Sequence, residues 1–362
     1  MIEPKGRQGG IAVATSRPAT KRLDTVAIAG ATGLAGGELV RLLLGHPRMR
    51  LVALAGSPGS ADRPVGEAHP ALWGRTELVC RPLDPESPPS AEILVLATPD
   101  DVSSPAAAAA LARGSRVLDL SGAFRLKDPK AFLEWYGYEH PRPALLDVAI
   151  YGLAGTTDPR GVRDARLVAN PGCYPTAALT ALLPLAIAGA IDRGGTLVVD
   201  AKSGVSGAGR RVAPEYLYGE VAENCRPYGL PRHRHYPEIA GALPRGLGEN
   251  LVFIPHLLPA ERGLLATCTM RLADGWTAAD ARAALESAWG DDPFVRVLPG
   301  GSLPSLRHAN GTPFAVVGLA ETPSPRHVVV ACAIDNLLKG AASQAVENLN
   351  LMIGADRREG LL

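Results

Sequence analysis

The sequence predicts an α/β protein in two parts, a doubly wound parallel sheet followed by a mixed sheet. Three observations predict it. Short apolar runs alternate with helical patterns across the first part of the chain, the order of a parallel sheet covered by helices. A Gly-rich turn joins the first of these runs to the first helix. After Cys173 strand-type runs dominate and helices become few, which suits a mixed or antiparallel sheet. The 362 residues suffice for two domains and a sizeable core.

Thr25–Ala29 reads as the first strand. Gly30-Ala-Thr-Gly33-Leu-Ala-Gly36-Gly37 follows, then Leu39, Leu42 and Leu43 at helical spacing. Strand, Gly-rich turn and helix form the first unit of a dinucleotide-binding, Rossmann-type fold, in which glycines admit a pyrophosphate to the helix N-terminus. The spacing is Gly-x-x-Gly-x-x-Gly, not Gly-x-Gly-x-x-Gly, so a structural glycine turn reads equally well. A second strand, Arg50–Ala55, ends in Gly56-Ser57-Pro58-Gly59-Ser60 with no acid to bind a ribose 2′-hydroxyl. Ser57, Ser60 and Arg63 suit a 2′-phosphate, which favours NADP over NAD; a Ser/Gly surface loop is the alternative. Ile93–Ala97 and Val117–Leu120 are further strands with a helix at Ala106–Leu111 between them. Arg125 then falls in a loop after a strand, where it suits a phosphate or carboxylate or covers an aromatic ring.

Leu167–Ala169 is a short strand broken by Asn170-Pro171-Gly172, and Pro175 with the Ala/Leu run after it favours helix. Cys173 therefore falls at a helix N-terminus, where unpaired N–H groups and the helix dipole favour a thiolate and offer donors to an oxyanion. A lone Cys is often inert core; strand, turn, Cys and helix together favour a nucleophile. Thr196–Lys202 is a strand leading into Ser203-Gly-Val-Ser-Gly-Ala-Gly-Arg210-Arg211, an anion-binding loop or a plain connection. In Arg232-His233-Arg234-His235-Tyr236-Pro237-Glu238 the cations are expected outside the core. One His suits a general base, with Glu238 fixing its tautomer or orientation. A zinc pair and a charged surface loop are the other readings. Residues 251–254, 264–272, 293–297, 314–320 and 327–334 read as strands, and Thr277–Trp289 as a helix with a Thr-x-x-Asp cap. A final helix to about Met352 is placed to return to the first unit.

Composition bounds the partners. A net charge of +1 gives no electrostatic reason to expect nucleic acid or an anionic membrane. Five cysteines without a Cys-x-x-Cys pair argue against a disulfide framework or zinc site and for a reducing, cytoplasmic setting. No apolar run approaches the roughly 20 residues of a membrane span. Residues 1–22, with Glu3 as their one acid, read as a disordered extension, with an organelle transit peptide as the alternative.

Taken as a set, these stretches resemble the N-acetyl-gamma-glutamyl-phosphate reductases of arginine biosynthesis, from about Thr25 onward. The resemblance is carried by Gly30-Ala-Thr-Gly-Leu-Ala-Gly-Gly-Glu-Leu39, Asp119-Leu-Ser-Gly-Ala-Phe-Arg-Leu126 and Pro171-Gly-Cys-Tyr-Pro-Thr-Ala177. It continues through Ser203–Arg210, His233-Arg-His-Tyr-Pro-Glu-Ile239, Arg262-Gly-Leu-Leu-Ala-Thr267 and Asp335-Asn-Leu-Leu-Lys-Gly340. It implies a semialdehyde dehydrogenase or glyceraldehyde-3-phosphate dehydrogenase-like architecture. An NADP-binding Rossmann domain would span 23–172 and be completed by a C-terminal helix within 336–362. A catalytic, substrate and oligomerisation domain would span 173–335.

The resemblance further implies Cys173 as nucleophile and His235 as acid/base in NADPH-dependent reduction of an acyl phosphate to an aldehyde through a thioester, without a metal, in a homo-oligomer, dimer or tetramer. Gly30, Thr32, Gly33, Leu34, Ala35, Gly36, Ser57, Ser60, Ser203, Gly204 and Asn336 are the expected cofactor residues. Arg125, Ser206, Gly207, Arg210, His233 and Glu238 are the expected substrate residues. One departure stands out: Tyr151-Gly-Leu-Ala-Gly155 lacks the acid that the family carries at its last position. The rivals are a lysine-type reductase of a carrier-linked aminoadipyl phosphate, aspartate-semialdehyde dehydrogenase, and a catalytically silent nucleotide-binding protein. Tyr174-Pro175 after the Cys favours the arginine type over the first two.

Overall fold

The structure is a computed structural model that describes residues 23–57, 59 and 62–362. The reading of residues 1–22 and the assignment of Ser60 lie outside the described residues. Among those described, the first part of the chain forms an eight-stranded sheet. Its strands are β1 (Asp24–Ala29), β2 (Met49–Gly56), β3 (Arg63–Pro64), β4 (Val79–Pro82), β5 (Ile93–Leu96), β6 (Arg116–Asp119), β7 (Ile150–Tyr151) and β8 (Leu167–Ala169). Their order is β3-β4-β2-β1-β5-β6-β8-β7, parallel except for the β3–β4 edge. Val26–Ala29 and all of β5 are buried. Helices cover both faces of such a sheet, which is why these strands are continuous apolar runs with no polar alternation.

The second part forms a seven-stranded mixed sheet from β9 (Leu197–Gly204), β10 (Arg226–Pro227), β11 (Leu251–Leu258), β12 (Leu264–Arg271), β13 (Val295–Val297), β14 (Ala315–Glu321) and β15 (His327–Ile334). The order is β10-β11-β9-β12-β15-β14-β13, with parallel β9–β11 and β13–β14 pairs among antiparallel ones. Burial alternates along β9, β11 and β12, so one face is core and the other half-covered. Helices Cys173–Ile187 and Ala278–Trp289 pack on the core face. Helix Cys173–Ile187 is buried on every side from Tyr174 to Ala186, as an Ala/Leu run without a polar stripe requires. Thr277 closes the other helix with the expected capping box, accepting from Asp280 N–H at 3.2 Å.

Helix Ser343–Met352 returns to the first sheet. Ala345, Val346, Leu349 and Met352 share one core cluster with Val26, Ile28, Leu39 and Val95. A π-helical turn, Leu338–Ala342, precedes it. Lys339 there is buried on Glu347 at 2.6 Å; Arg357 joins Glu347 at 2.6 Å to Asp292 at 2.8 Å. Gly155 adopts φ +94°, and a Cβ on it would lie 2.6 Å from Asp292 Oδ2. A longer residue at 155 would collide with the Asp292 carboxylate.

Candidate active site

Cys173 is the first residue of its helix, and Gly172 is the N-cap in extended conformation, φ −69° and ψ 160°. Strand β8 aims this turn at the C-terminal edge of the first sheet, where ligands of open α/β sheets bind. A Cβ on Gly172 would lie 2.4 Å from His235 Nε2 and 2.8 Å from Arg125 Nη1. Only glycine lets the base and the cation close on the residue beside the nucleophile. The Cys173 thiol differs from expectation: burial pushes it up to about 11, while Arg125 and the N–H groups of Tyr174 and Cys173 pull it down. Desolvation outweighs the helix terminus, and the resting group is a thiol.

His235 is half-buried against the same turn, with its ring 5.8 Å from that of Tyr174. Burial first, then the charges of His233, Arg125 and Arg234, hold it well below the usual histidine range, so it is neutral near pH 7. Arg125 Nη1 makes a long 3.4 Å contact to His235 Nε2, which keeps the lone pair on the nitrogen facing the nucleophile turn. His233 Nδ1 accepts from the His235 backbone N–H at 3.1 Å. Burial lowers His233 to about 4. Among the described residues no group of three or more His, Cys, Asp or Glu side chains is placed to hold a metal ion. The two arginines of this segment, Arg232 and Arg234, are exposed, while both histidines turn inward.

Arg125 is buried, its side chain 8% exposed, with Nε on Asn170 O at 2.9 Å and Nη2 on Leu120 O at 2.7 Å. One further expectation is corrected. Glu238 has no hydrogen bond to His235. Its Oε1 accepts from Gly172 N–H at 2.8 Å and from the Tyr151 hydroxyl at 2.7 Å, and its Oε2 faces Arg125 Nη1 at 3.3 Å. Glu238 stands behind the cavity wall rather than lining it, its carboxylate turned to the nucleophile turn, β7 and Arg125.

One cavity of about 710 Å³ joins the glycine turn to the nucleophile. Leu34 and Ala35 line one end, Cys173, His233, His235 and Arg125 the middle, and Ser203, Gly204, Ser206, Gly207 and Asn336 the facing wall. Asn336 fixes that wall by accepting from Gly263 N–H at 2.7 Å and donating to Ser206 Oγ at 2.9 Å. Beneath Leu34 the turn of Gly30, Thr32, Gly33 and Gly36 is crowded. Gly30 has φ +85°, and a Cβ on Gly36 would lie 2.1 Å from Gly30 O. Helix Leu34–Leu43 has no side-chain cap and no acid in its first turn, so its N–H groups face the cavity end uncompensated. This donor set fits a dinucleotide pyrophosphate.

Some assignments fall elsewhere. Ser57 is exposed at the end of β2, and Arg63 is exposed beside Glu67 at 3.9 Å; neither lines the cavity. Arg210 turns away and donates to Ala68 O at 2.7 Å, while its neighbour Arg211 lines the cavity. Sequence reasoning missed Tyr216, Arg226 and Tyr228 on the cavity wall. It also missed His69, whose Nε2–H donates to Ala31 O, 2.9 Å away, beneath the glycine turn. No motif marks these residues; they reach the cavity only through the tertiary path of irregular loops.

The fold and site have relatives. A family profile described as semialdehyde dehydrogenase, NAD binding domain, matches residues 25–165, and one described as semialdehyde dehydrogenase, dimerisation domain, matches 173–336. Among solved structures, aspartate semialdehyde dehydrogenase II from Vibrio cholerae superposes with a TM-score of 0.70 at 18% identity, covering 92% of this chain and 99% of that one. The Candida albicans aspartate semialdehyde dehydrogenase solved with NADP gives 0.67 at 16% identity, with the same coverage. These share the fold. Curated N-acetyl-gamma-glutamyl-phosphate reductases are much closer in sequence. That of Pelotomaculum thermopropionicum is 43% identical over 339 residues, 93% of this chain and 97% of its own. Those of Halorhodospira halophila and Acinetobacter baumannii are 42% and 38% identical with the same coverage. The glycine turn, Cys173 and His235 thus stand in a chain that belongs to the N-acetyl-gamma-glutamyl-phosphate reductase family.

Proposed function

We propose that the protein reduces N-acetyl-gamma-glutamyl phosphate to N-acetylglutamate 5-semialdehyde and phosphate with NADPH, in arginine biosynthesis. The observation that carries this reading is the cavity that runs from the pyrophosphate-type glycine turn to Cys173 and His235. Cys173 and His235 begin as neutral thiol and imidazole. As the sulfur attacks the acyl carbon, His235 takes the thiol proton, phosphate leaves, and Cys173 carries the acyl group as a thioester. Arg125 and the N–H groups of Cys173 and Tyr174 face the negative charge that develops at the sulfur. Gly30, Thr32, Gly33, Leu34, Ala35 and Gly36 would hold the pyrophosphate of NADPH, which supplies the hydride when bound. His235 then returns its proton to the sulfur as the aldehyde departs.

Ser203, Gly204 and Asn336 complete the cofactor wall in this reading, and Ser206, Gly207, His233 and Arg125 the substrate wall. Residues 23–172 with 336–362 act as the cofactor domain and 173–335 as the catalytic domain. A second copy covers the half-exposed face of the mixed sheet, where Val252 is 42% exposed, giving a dimer or a tetramer. The five free cysteines suit a cytoplasmic location.

The test is the reverse reaction. N-acetylglutamate semialdehyde, phosphate and NADP are mixed with wild type and with Cys173→Ala, and reduced cofactor is followed by absorbance. Phosphate-dependent reduction by wild type alone is expected. Turnover of an aminoadipate-derived aldehyde in its place would move the protein to the lysine type, and no turnover of either would sink the mechanism.

A further inference from the structure

The helix Tyr236–Ala242 does more than follow the base. Its Glu238 carboxylate is 4% exposed, and burying an ionised carboxylate is costly without partners. It has three, each from a different element at the C-terminal edge of the first sheet. Gly172 N–H, at 2.8 Å, comes from the nucleophile turn; the Tyr151 hydroxyl, at 2.7 Å, comes from β7, the strand beside β8. Arg125 Nη1, at 3.3 Å, comes from the loop after β6, and the same nitrogen lies 3.4 Å from His235 Nε2. Arg125 is itself pinned to Asn170 O and Leu120 O. One short segment therefore presents His235 and, three residues on, grips the turn that presents Cys173.

We propose that Glu238 is a positioning residue that sets the separation of nucleophile and base, acting through Gly172 N–H and Arg125 and not through a hydrogen bond of its own to His235. The assignment rests on the reductase reading for its kinetic consequence alone. Gly172 N–H is consumed by Glu238, so it is not an oxyanion donor; the N–H groups of Cys173 and Tyr174 keep that task. Glu238 also pairs with Arg125, the cation whose charge favours the Cys173 thiolate. Other titratable groups that line the cavity with Cys173 include His233 and His235 from the adjoining segment, Tyr174 from its own helix and Tyr228 from the loop after β10.

The experiment compares wild type with Glu238→Gln, Glu238→Asp and Tyr151→Phe. Two readouts are used: kcat and KM in the reverse reaction, and the rate of Cys173 alkylation by iodoacetamide at pH 8. Alkylation is followed on the Cys173 peptide by mass spectrometry, because Cys225 is exposed. Glu238→Gln is expected to lose about 100-fold in kcat with little change in KM, as a misplaced reacting pair does. Its Cys173 should alkylate about 10-fold faster, because Arg125 is no longer neutralised. Glu238→Asp keeps the charge but shortens the arm: slow turnover with a wild-type alkylation rate is expected. Tyr151→Phe removes one anchor and should cost about 5-fold in kcat, well short of Glu238→Gln. Wild-type kcat in Glu238→Gln or in Tyr151→Phe overturns the proposal, as does a Glu238→Gln enzyme whose turnover and alkylation fall together. If wild type reduced no cofactor with any aldehyde, the reductase reading would fail, while the alkylation rates would still decide the role of Glu238.

Discussion

A methyl group on Gly172 would meet His235 Nε2 at 2.4 Å and Arg125 Nη1 at 2.8 Å, so Gly172→Ala must push base and cation off the nucleophile turn. A loss of at least about 30-fold in kcat is expected, with circular dichroism unchanged, since displacements near 1 Å cost about 100-fold. Wild-type rates in that variant would show that the turn is looser than the contacts require. The thiol itself makes a second prediction. With Cys173 pushed up to about 11 by burial, alkylation in wild type should keep rising between pH 7 and pH 9 rather than level off near neutrality. A plateau below pH 8 would contradict a neutral resting pair. Cys173 as a candidate nucleophile was legible in the sequence because strand, turn and helix start are local features. Its protonation state was not, because it depends on residues far along the chain, among them Gly340, which packs on the Cys173 side chain, and Glu238, whose charge raises the thiol.

Elements were legible in proportion to their apolar content. The strands β1, β2, β5 and β8 agree with the runs read from the chain to within a residue or two, because each is a short, largely apolar run, most of them closed by Gly, Pro or Asn, too short for a helix. By contrast β4, with sequence Val-Cys-Arg-Pro, carries no period at all; it is recruited by its parallel pairing with β2. The loop after β9 was read as an anion site containing both Arg210 and Arg211, with Arg210 taken for the substrate, yet Arg211 is the one at the cavity. Without a period, nothing in an irregular loop tells neighbouring residues apart. Helix Ala278–Trp289 tests the rule that caps can be read from sequence. Thr277→Ala should lower stability by about 1 kcal/mol in urea unfolding and leave kcat unchanged. Its Trp289 Nε1 still donates to Thr180 O at 3.0 Å, fastening it to the nucleophile helix.

At the scale of the molecule, two buried features govern stability. His233, lowered to about 4, and His235, held well below 6.5, bind protons more readily in the unfolded chain. The stability that their neutrality gives is complete above pH 6.5 and is lost as the pH falls from 6.5 toward 4. The melting temperature should therefore fall across that window, and His233→Asn should flatten part of the fall. The second feature is the Lys339–Glu347–Arg357–Asp292 chain of charges. Glu347→Gln leaves Lys339 buried without its counter-charge, and a loss of about 3–5 kcal/mol is expected in denaturant titration. The family to which the chain belongs was legible from ordered motifs; this charge cluster was not, because Asp292, Glu347 and Arg357 meet only after the chain has passed through both sheets. The same path has a consequence for biosynthesis. Val26 and Ile28 share their core with Ala345, Val346 and Leu349, so at about 5–20 residues per second on the ribosome the first strands wait tens of seconds for the helix that seals them. Until then one face of the oldest part of the nascent polypeptide is open to chaperones.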